Sequence, residues 1–365
     1  MPHPNVDYLD ATPLLWCVAA QVIVLAPGVP SRTSDPHITF SGMNSSCSGR
    51  MALLTLVIVL LGTGCARIAV GLAPRRAAQV PTEATRRGEA LMSEALLDGA
   101  YDRLPSLIEE LTRLAVDNPR DGRLHTMLGM AHLWRVSERE RDPHPSPRLT
   151  EHVVLARHYL ASARALLPED ARVHAWSAGT ELATATLLDD QRARRRAYFD
   201  MKGSIPRYPV FNLFSASFVF SRLPATDPKY LSEVVDPMFK AVRLCYGKAD
   251  DWKSRRAAVA AAMANPIVTN GPERVCYPSP AAPHNIEGFF LHFGDALSKA
   301  GRLDDAREAW GLASLAPAYA TWPYRSDLEA RIADPAGHSR VARAGQRGEG
   351  MMITSRVSCS GCHQR

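Results

Sequence analysis

Between residues 83 and 333 the chain shows no sustained alternation of apolar and polar residues; apolar side chains recur instead at spacings of three and four. That period gathers them on one stripe of an α-helix and is incompatible with a half-buried sheet. Alanine, leucine, arginine and glutamate, all good helix formers, dominate the same stretch. The sharpest unit runs from Asn285 to Pro317 and contains Phe290, Phe293, Gly294, Leu297, Gly301, Ala306, Trp310 and Ala313. Small residues at Gly294, Ala306 and Ala313 let two antiparallel helices approach closely, and Phe290, Leu297 and Trp310 fill the space between them. Gly301 ends the first helix in a tight turn and Pro317 stops the second.

Gly294, then Ala306, Trp310 and Ala313 at these intervals resemble the tetratricopeptide repeat. A second unit follows the pattern if its turn is lengthened by the stretch RERDPHPSPR. Leu128 and Gly129 then lie on a first helix, and Ala156, Leu160, Ala163 and Pro168 on a second. Trp176 and Gly179 open another first helix, and Leu107, Leu111, Leu114 and Pro119 form a weaker second helix after Gly99-Ala100-Tyr101. The resemblance implies an all-α solenoid of stacked helical hairpins over residues 83–333, with a concave surface that binds partner proteins.

Two segments interrupt the rhythm. Residues 205–223 carry Phe211, Phe214, Phe218 and Phe220, the first three on one helical face. Such a stripe is core in most proteins and becomes an apolar binding platform only if it faces the concave surface. Residues 247–284 read as an insertion rich in proline and small residues around a short helix, Trp252 to Ala264. A Cys245–Cys276 disulfide would staple it to the preceding helix and contribute about 3–4 kcal/mol by chain entropy. After a last helix through Leu328 and Ile332, residues 334–365 read as a flexible, glycine-bearing tail.

The N-terminal residues have the marks of a targeting segment. Residues 51–64, MALLTLVIVLLGTG, form an apolar run preceded by Arg50 and ending in small residues before Cys65. A basic n-region, apolar h-region and small-residue end describe a secretory signal over residues 43–64. Gly62-Thr63-Gly64-Cys65 resembles a bacterial lipobox, with Gly62 where leucine is usual, so Cys65 is the expected lipidated residue and 65–82 the linker that follows. Residues 1–42 have acidic Asp7 and Asp10 before their own apolar run, the wrong polarity for a signal. We read them as a non-native extension or disordered stretch, with translation starting at Met43 or Met51.

The seven cysteines fit that placement. With Cys17 and Cys47 set aside, Cys65 would carry lipid and Cys245 and Cys276 would pair. Cys359 and Cys362 remain, in Cys359-Ser360-Gly361-Cys362-His363, the pattern by which haem is covalently attached in c-type cytochromes. The thiols would form thioethers to the haem vinyls and His363 would be the axial ligand of the iron. Met351, Met352, His292 and His338 are the candidates for a sixth ligand. The competing readings of the triplet are a simple disulfide and a zinc-binding tail, the latter short of the four ligands that structural zinc takes.

No Walker loop, dinucleotide fingerprint, nucleophile elbow or HExxH appears, so a redox role is the only specific chemistry and enzymatic activity stays open. Net charge is +6, but Arg192, Arg194, Arg195 and Arg196 sit beside Asp189, Asp190 and Asp200 with no recognition motif, which argues against nucleic acid. The expectation is a lipid-anchored repeat scaffold on the periplasmic side of a bacterial envelope membrane, binding protein partners and carrying one haem c. The alternative is a repeat lipoprotein that acts only as an adaptor.

Overall fold

A computed structural model describes residues 77–142, 144, 148–264, 271–344 and 356–365. The signal segment and Cys65 therefore lie outside the described residues. Residues 76–365 make one compact unit. Among the described residues the secondary structure is helical apart from one isolated bridge between Ser279 and Ala282.

The hairpins follow one another as the apolar spacing requires. Helices α1 (Glu83–Leu97) and α2 (Leu104–Asp117) form the first, α3 (Gly122–Ser137) and α4 (Leu149–Leu166) the second, and α5 (Ala171–Leu187) and α6 (Gln191–Ser204) the third. Helices α7 (Pro209–Phe220) and α8 (Asp236–Tyr246) make the fourth, and α10 (Asn285–Lys299) and α11 (Leu303–Ala313) the fifth. Between the last two hairpins stands α9 (Trp252–Ala264), the helix expected inside the insertion. Aspartates start three of these helices: Asp121, Asp170 and Asp190 each accept backbone N–H groups of the first turn, which would otherwise lack partners.

Close approach within the hairpins rests on the predicted small residues. A side chain at Gly294 would collide with the Trp310 indole, and one at Gly129 would meet Leu160 Cγ at 2.6 Å. Gly301, with φ of 84°, occupies the left-handed conformation that ends α10. Cys245 and Cys276 are bonded, with Cα atoms 5.3 Å apart, and Tyr246 adds a hydroxyl bond to the Cys276 carbonyl at 2.9 Å.

Two stretches read as linker prove ordered. Helices α12 (Arg325–Ala333) and α13 (Pro335–Ala344) continue the array, so the stretch after residue 333 is helical to Ala344. Its glycine and polar residues disguise a helix held by polar bonds: Ser339 donates to the Ser298 carbonyl, Arg343 to that of Lys299, and His338 pairs with Asp295. Residues 356–365, expected as part of a flexible tail, fold into a short helix, α14 (Cys359–His363), packed against α1 and α10.

Two large clusters make most of the interior, beside a small one of Val136, Val153 and Ala183. One cluster, built around Leu104, Leu111, Leu124, Leu128 and Trp134, belongs to α1–α3. The larger spans α5 to α12 and includes Met201, Tyr230, Phe290, Phe293 and Trp310. Val357 is buried in the larger cluster, whereas Cys359, two residues on, packs against the first.

Candidate functional site

The terminal motif is held by its backbone. Glu138, fully buried at the C-terminal end of α3, accepts on Oε1 the Ser358 N–H at 3.0 Å, the Ser360 N–H at 2.7 Å and the Ser360 hydroxyl at 2.8 Å. Its second oxygen pairs with Arg141 at 3.0 Å, and Arg141 in turn donates to the Gly99 carbonyl at 2.8 Å. From the other side, His284 N–H donates to the Cys362 carbonyl at 3.1 Å and Trp322 Nε1–H to that of Gly361 at 2.9 Å. The Tyr324 hydroxyl lies 2.8 Å from both Ser360 Oγ and Gln364 Oε1, and Arg365 N–H reaches the Leu97 carbonyl at 2.8 Å. A five-residue helix cannot hold itself together in water, so these long-range bonds are what order it.

Gly288 lets the motif reach α10. A Cβ there would lie 2.4 Å from Cys362 Sγ and 2.9 Å from the Gly361 carbonyl, distances no side chain tolerates. The two cysteines are unbonded and half-buried. Burial pushes the Cys359 thiol up to about 12, with the Glu138 carboxylate adding to the effect. It raises Cys362 as well, helped by Cys359, Glu287 and Glu138. Free thiolates are thus disfavoured at both positions. A thioether sulfur carries no charge and loses nothing in the same place.

His363 is arranged as an axial ligand would be. Its Nδ1 lies 2.5 Å from the Ala281 carbonyl, so Nδ1 carries the proton and Nε2 keeps the lone pair. A hydrogen bond from the non-ligating nitrogen to a carbonyl is the usual outer support of a metal-bound imidazole. Burial lowers the pKa of His363, against the pull of that carbonyl, and favours the neutral ring a metal needs. Cys359, Cys362 and His363 thus stand together on α14, where the two sulfurs would tie a covalent group and the oriented imidazole would be the one donor to a metal in it.

Among the proposed sixth ligands, His338 is committed to Asp295 at 3.1 Å and Met351 and Met352 lie outside the described residues. His292 is buried and donates to the Ser358 backbone carbonyl, which leaves its Nε2 without a partner. Its ring packs edge-on to Phe218 at 5.0 Å, Phe214 stacks on Phe218 at 5.7 Å, and Phe289 adjoins Phe214 at 5.8 Å. The phenylalanine stripe is thus core at Phe218 and half-buried at Phe211 and Phe214; Phe214 lies against His292, and Phe211 against Trp176 and Tyr208.

Sequence reasoning located Cys359, Cys362 and His363 but missed the residues that hold them. Glu138 stands in the charged run Ser137 to Asp142, which has the composition of a solvated turn. Only its partners, 220 and 222 positions away, reveal its role. No protein-family profile, curated protein or solved structure matches the chain.

Proposed function

We propose that the protein is a lipid-anchored helical-repeat scaffold of the tetratricopeptide type, on the periplasmic side of a bacterial envelope membrane, carrying one covalent haem c. Cys359 and Cys362 form the thioethers and His363 is the proximal ligand; bound haem supplies one-electron transfer. The observation that carries the reading is the 2.5 Å contact of His363 Nδ1 with the Ala281 carbonyl, which presents Nε2 as a ligand. The Cys245–Cys276 disulfide supports an oxidising compartment. The half-buried Phe214, against His292, supplies apolar surface close to the motif for a porphyrin or a partner protein.

A second reading, an adaptor without haem, draws on the docking itself: the bonds from Glu138, His284 and Trp322 hold the motif through its backbone whatever its sulfurs carry. Expression of the full chain with cytochrome c maturation factors decides between them. The haem reading requires sharp alpha and beta bands in the reduced protein and haem that stays attached after denaturation. Both must vanish in the Cys359→Ser/Cys362→Ser double variant. A colourless, monomeric wild-type protein with free thiols leaves the adaptor.

A further inference from the structure

Helix α6 has two unlike faces. Ala193, Ala197, Met201 and Ser204 are buried against the array. Arg192, Arg195, Arg196, Phe199 and Gly203 recur at three- and four-residue intervals on the opposite side, and all five are exposed. Phe199 is 69% exposed, with Tyr198 edge-on at 5.3 Å as its ring neighbour. A Cβ at Gly203 would meet nothing within 4 Å, so among the described residues no element covers that end of the stripe.

The carboxylates that neutralise this run in the sequence are engaged elsewhere in the fold. Asp190 accepts the Ala193 N–H at 2.9 Å as the helix cap, Asp189 accepts from the Gln191 amide at 2.8 Å, and Asp200 accepts from Arg164 at 2.8 Å. Among the described residues no ion pair joins Arg192, Arg195 or Arg196. Arg195 and Arg196 also stand about 8 Å along the axis from Asp190, so they keep most of their field. We propose that this face docks the protein onto an anionic phospholipid bilayer, with the three guanidinium groups on the lipid phosphates and Phe199 at the boundary of headgroups and acyl chains. The charge is complementary to such a surface, and a bilayer takes an apolar ring on the same line as the cations. A nucleic-acid duplex would use the arginines and leave Phe199 without a partner; a neutral bilayer would take the ring and leave the arginines. The assignment stands apart from the haem and from any lipid on Cys65.

The experiment exposes the full chain to vesicles of phosphatidylglycerol and phosphatidylcholine in equal parts, and to vesicles of phosphatidylcholine alone. An N-terminal anchor would hold the chain on both, so the readout is local. It is the rate at which phenylglyoxal modifies Arg192, Arg195 and Arg196, followed by peptide mass spectrometry with exposed Arg340 as the reference. Expected is slower modification of the three on the anionic vesicles alone, relieved in about 0.5 M salt, where the screening length falls to about 4 Å. Half-protection of Arg192 should need about fivefold more anionic lipid in Arg195→Gln, and about twenty-five-fold more in Arg195→Gln/Arg196→Gln. Arg195→Lys should match the wild type, and Phe199→Ser should need about tenfold more lipid. Far-UV circular dichroism should be unchanged in all four, because these side chains are exposed. Equal rates on the two kinds of vesicle, or protection that Phe199→Ser leaves intact, overturn the assignment. Stronger protection by a DNA duplex at the same salt gives the face to nucleic acid and overturns it as well.

Discussion

Replacing Glu138 by alanine isolates the one carboxylate that fastens the terminal motif. In the wild type a single buried oxygen collects two N–H groups and a hydroxyl at 2.7–3.0 Å, and the other oxygen neutralises Arg141. Charge-assisted bonds of this kind contribute about 1.5–3 kcal/mol each, and losing one partner of a buried pair costs about 3–5 kcal/mol. The released amides can turn to water if the segment swings out, so the full sum is not realised. We expect docking of residues 356–365 to weaken by about 3–5 kcal/mol, which shifts the docked-to-open ratio by roughly a hundredfold to several thousandfold. Glu138→Gln keeps an acceptor oxygen but loses the charge and should fall between. Hydrogen exchange at the Ser358 and Ser360 amides measures the ratio directly, because both donate to this side chain alone among the described residues. If these amides exchange within threefold of wild type in Glu138→Ala, with α10 still protected, the carboxylate is not the fastening and the reasoning fails.

Further outcomes follow from the same geometry. Gly288→Ala should favour helix α10 by about 1 kcal/mol on propensity, yet drive the motif off because its Cβ would meet Cys362 Sγ at 2.4 Å. Protease cleavage near residue 356 should accelerate, and unchanged cleavage would contradict the close-approach argument. Removing the Cys245–Cys276 bridge, which spans 31 residues, should cost about 3 kcal/mol in urea unfolding; a loss under 1 kcal/mol would mean the insertion is held by packing instead. Buried His132, whose ring meets that of His152 at 2.8 Å, has its pKa lowered to about 4 by burial and then by His152. Because the folded value lies below the ordinary 6.5, the stabilisation is complete above pH 6.5 and is lost as pH falls towards 4. Its full size is about 3 kcal/mol, of which about 2 should be gone by pH 5. His132→Phe should flatten unfolding free energy over this window, and an equally steep profile in that variant would assign the pH dependence elsewhere.

The hairpins were legible because their signals are local. Gly294 and Trp310, or Gly129 and Leu160, face each other within one helical pair, and a fixed interval announces the contact. The insertion helix and the disulfide were equally readable, one from composition and the other from cysteine count. Helix α13 was not, since Ser339, Arg343 and His338 make it stable through bonds to α10 and not through an apolar stripe of its own. The motif could be singled out from three residues, but the contacts that hold it could not. Glu138, His284 and Gly288 carry no pattern in sequence, and each acquires meaning only from a segment folded back upon it.

Val357 in one core and Cys359 against the other set a clock on the protein. Stacked repeats ordinarily assemble neighbour by neighbour, each hairpin resting on the one before. Here the final seam joins residues more than 200 positions apart and therefore closes late. Once it is shut, both sulfurs face protein and their thiolates are suppressed. Whatever acts on Cys359 and Cys362 must work on the open chain, before closure. In the finished molecule, the rate at which a thiol reagent labels these cysteines measures how often the seam reopens.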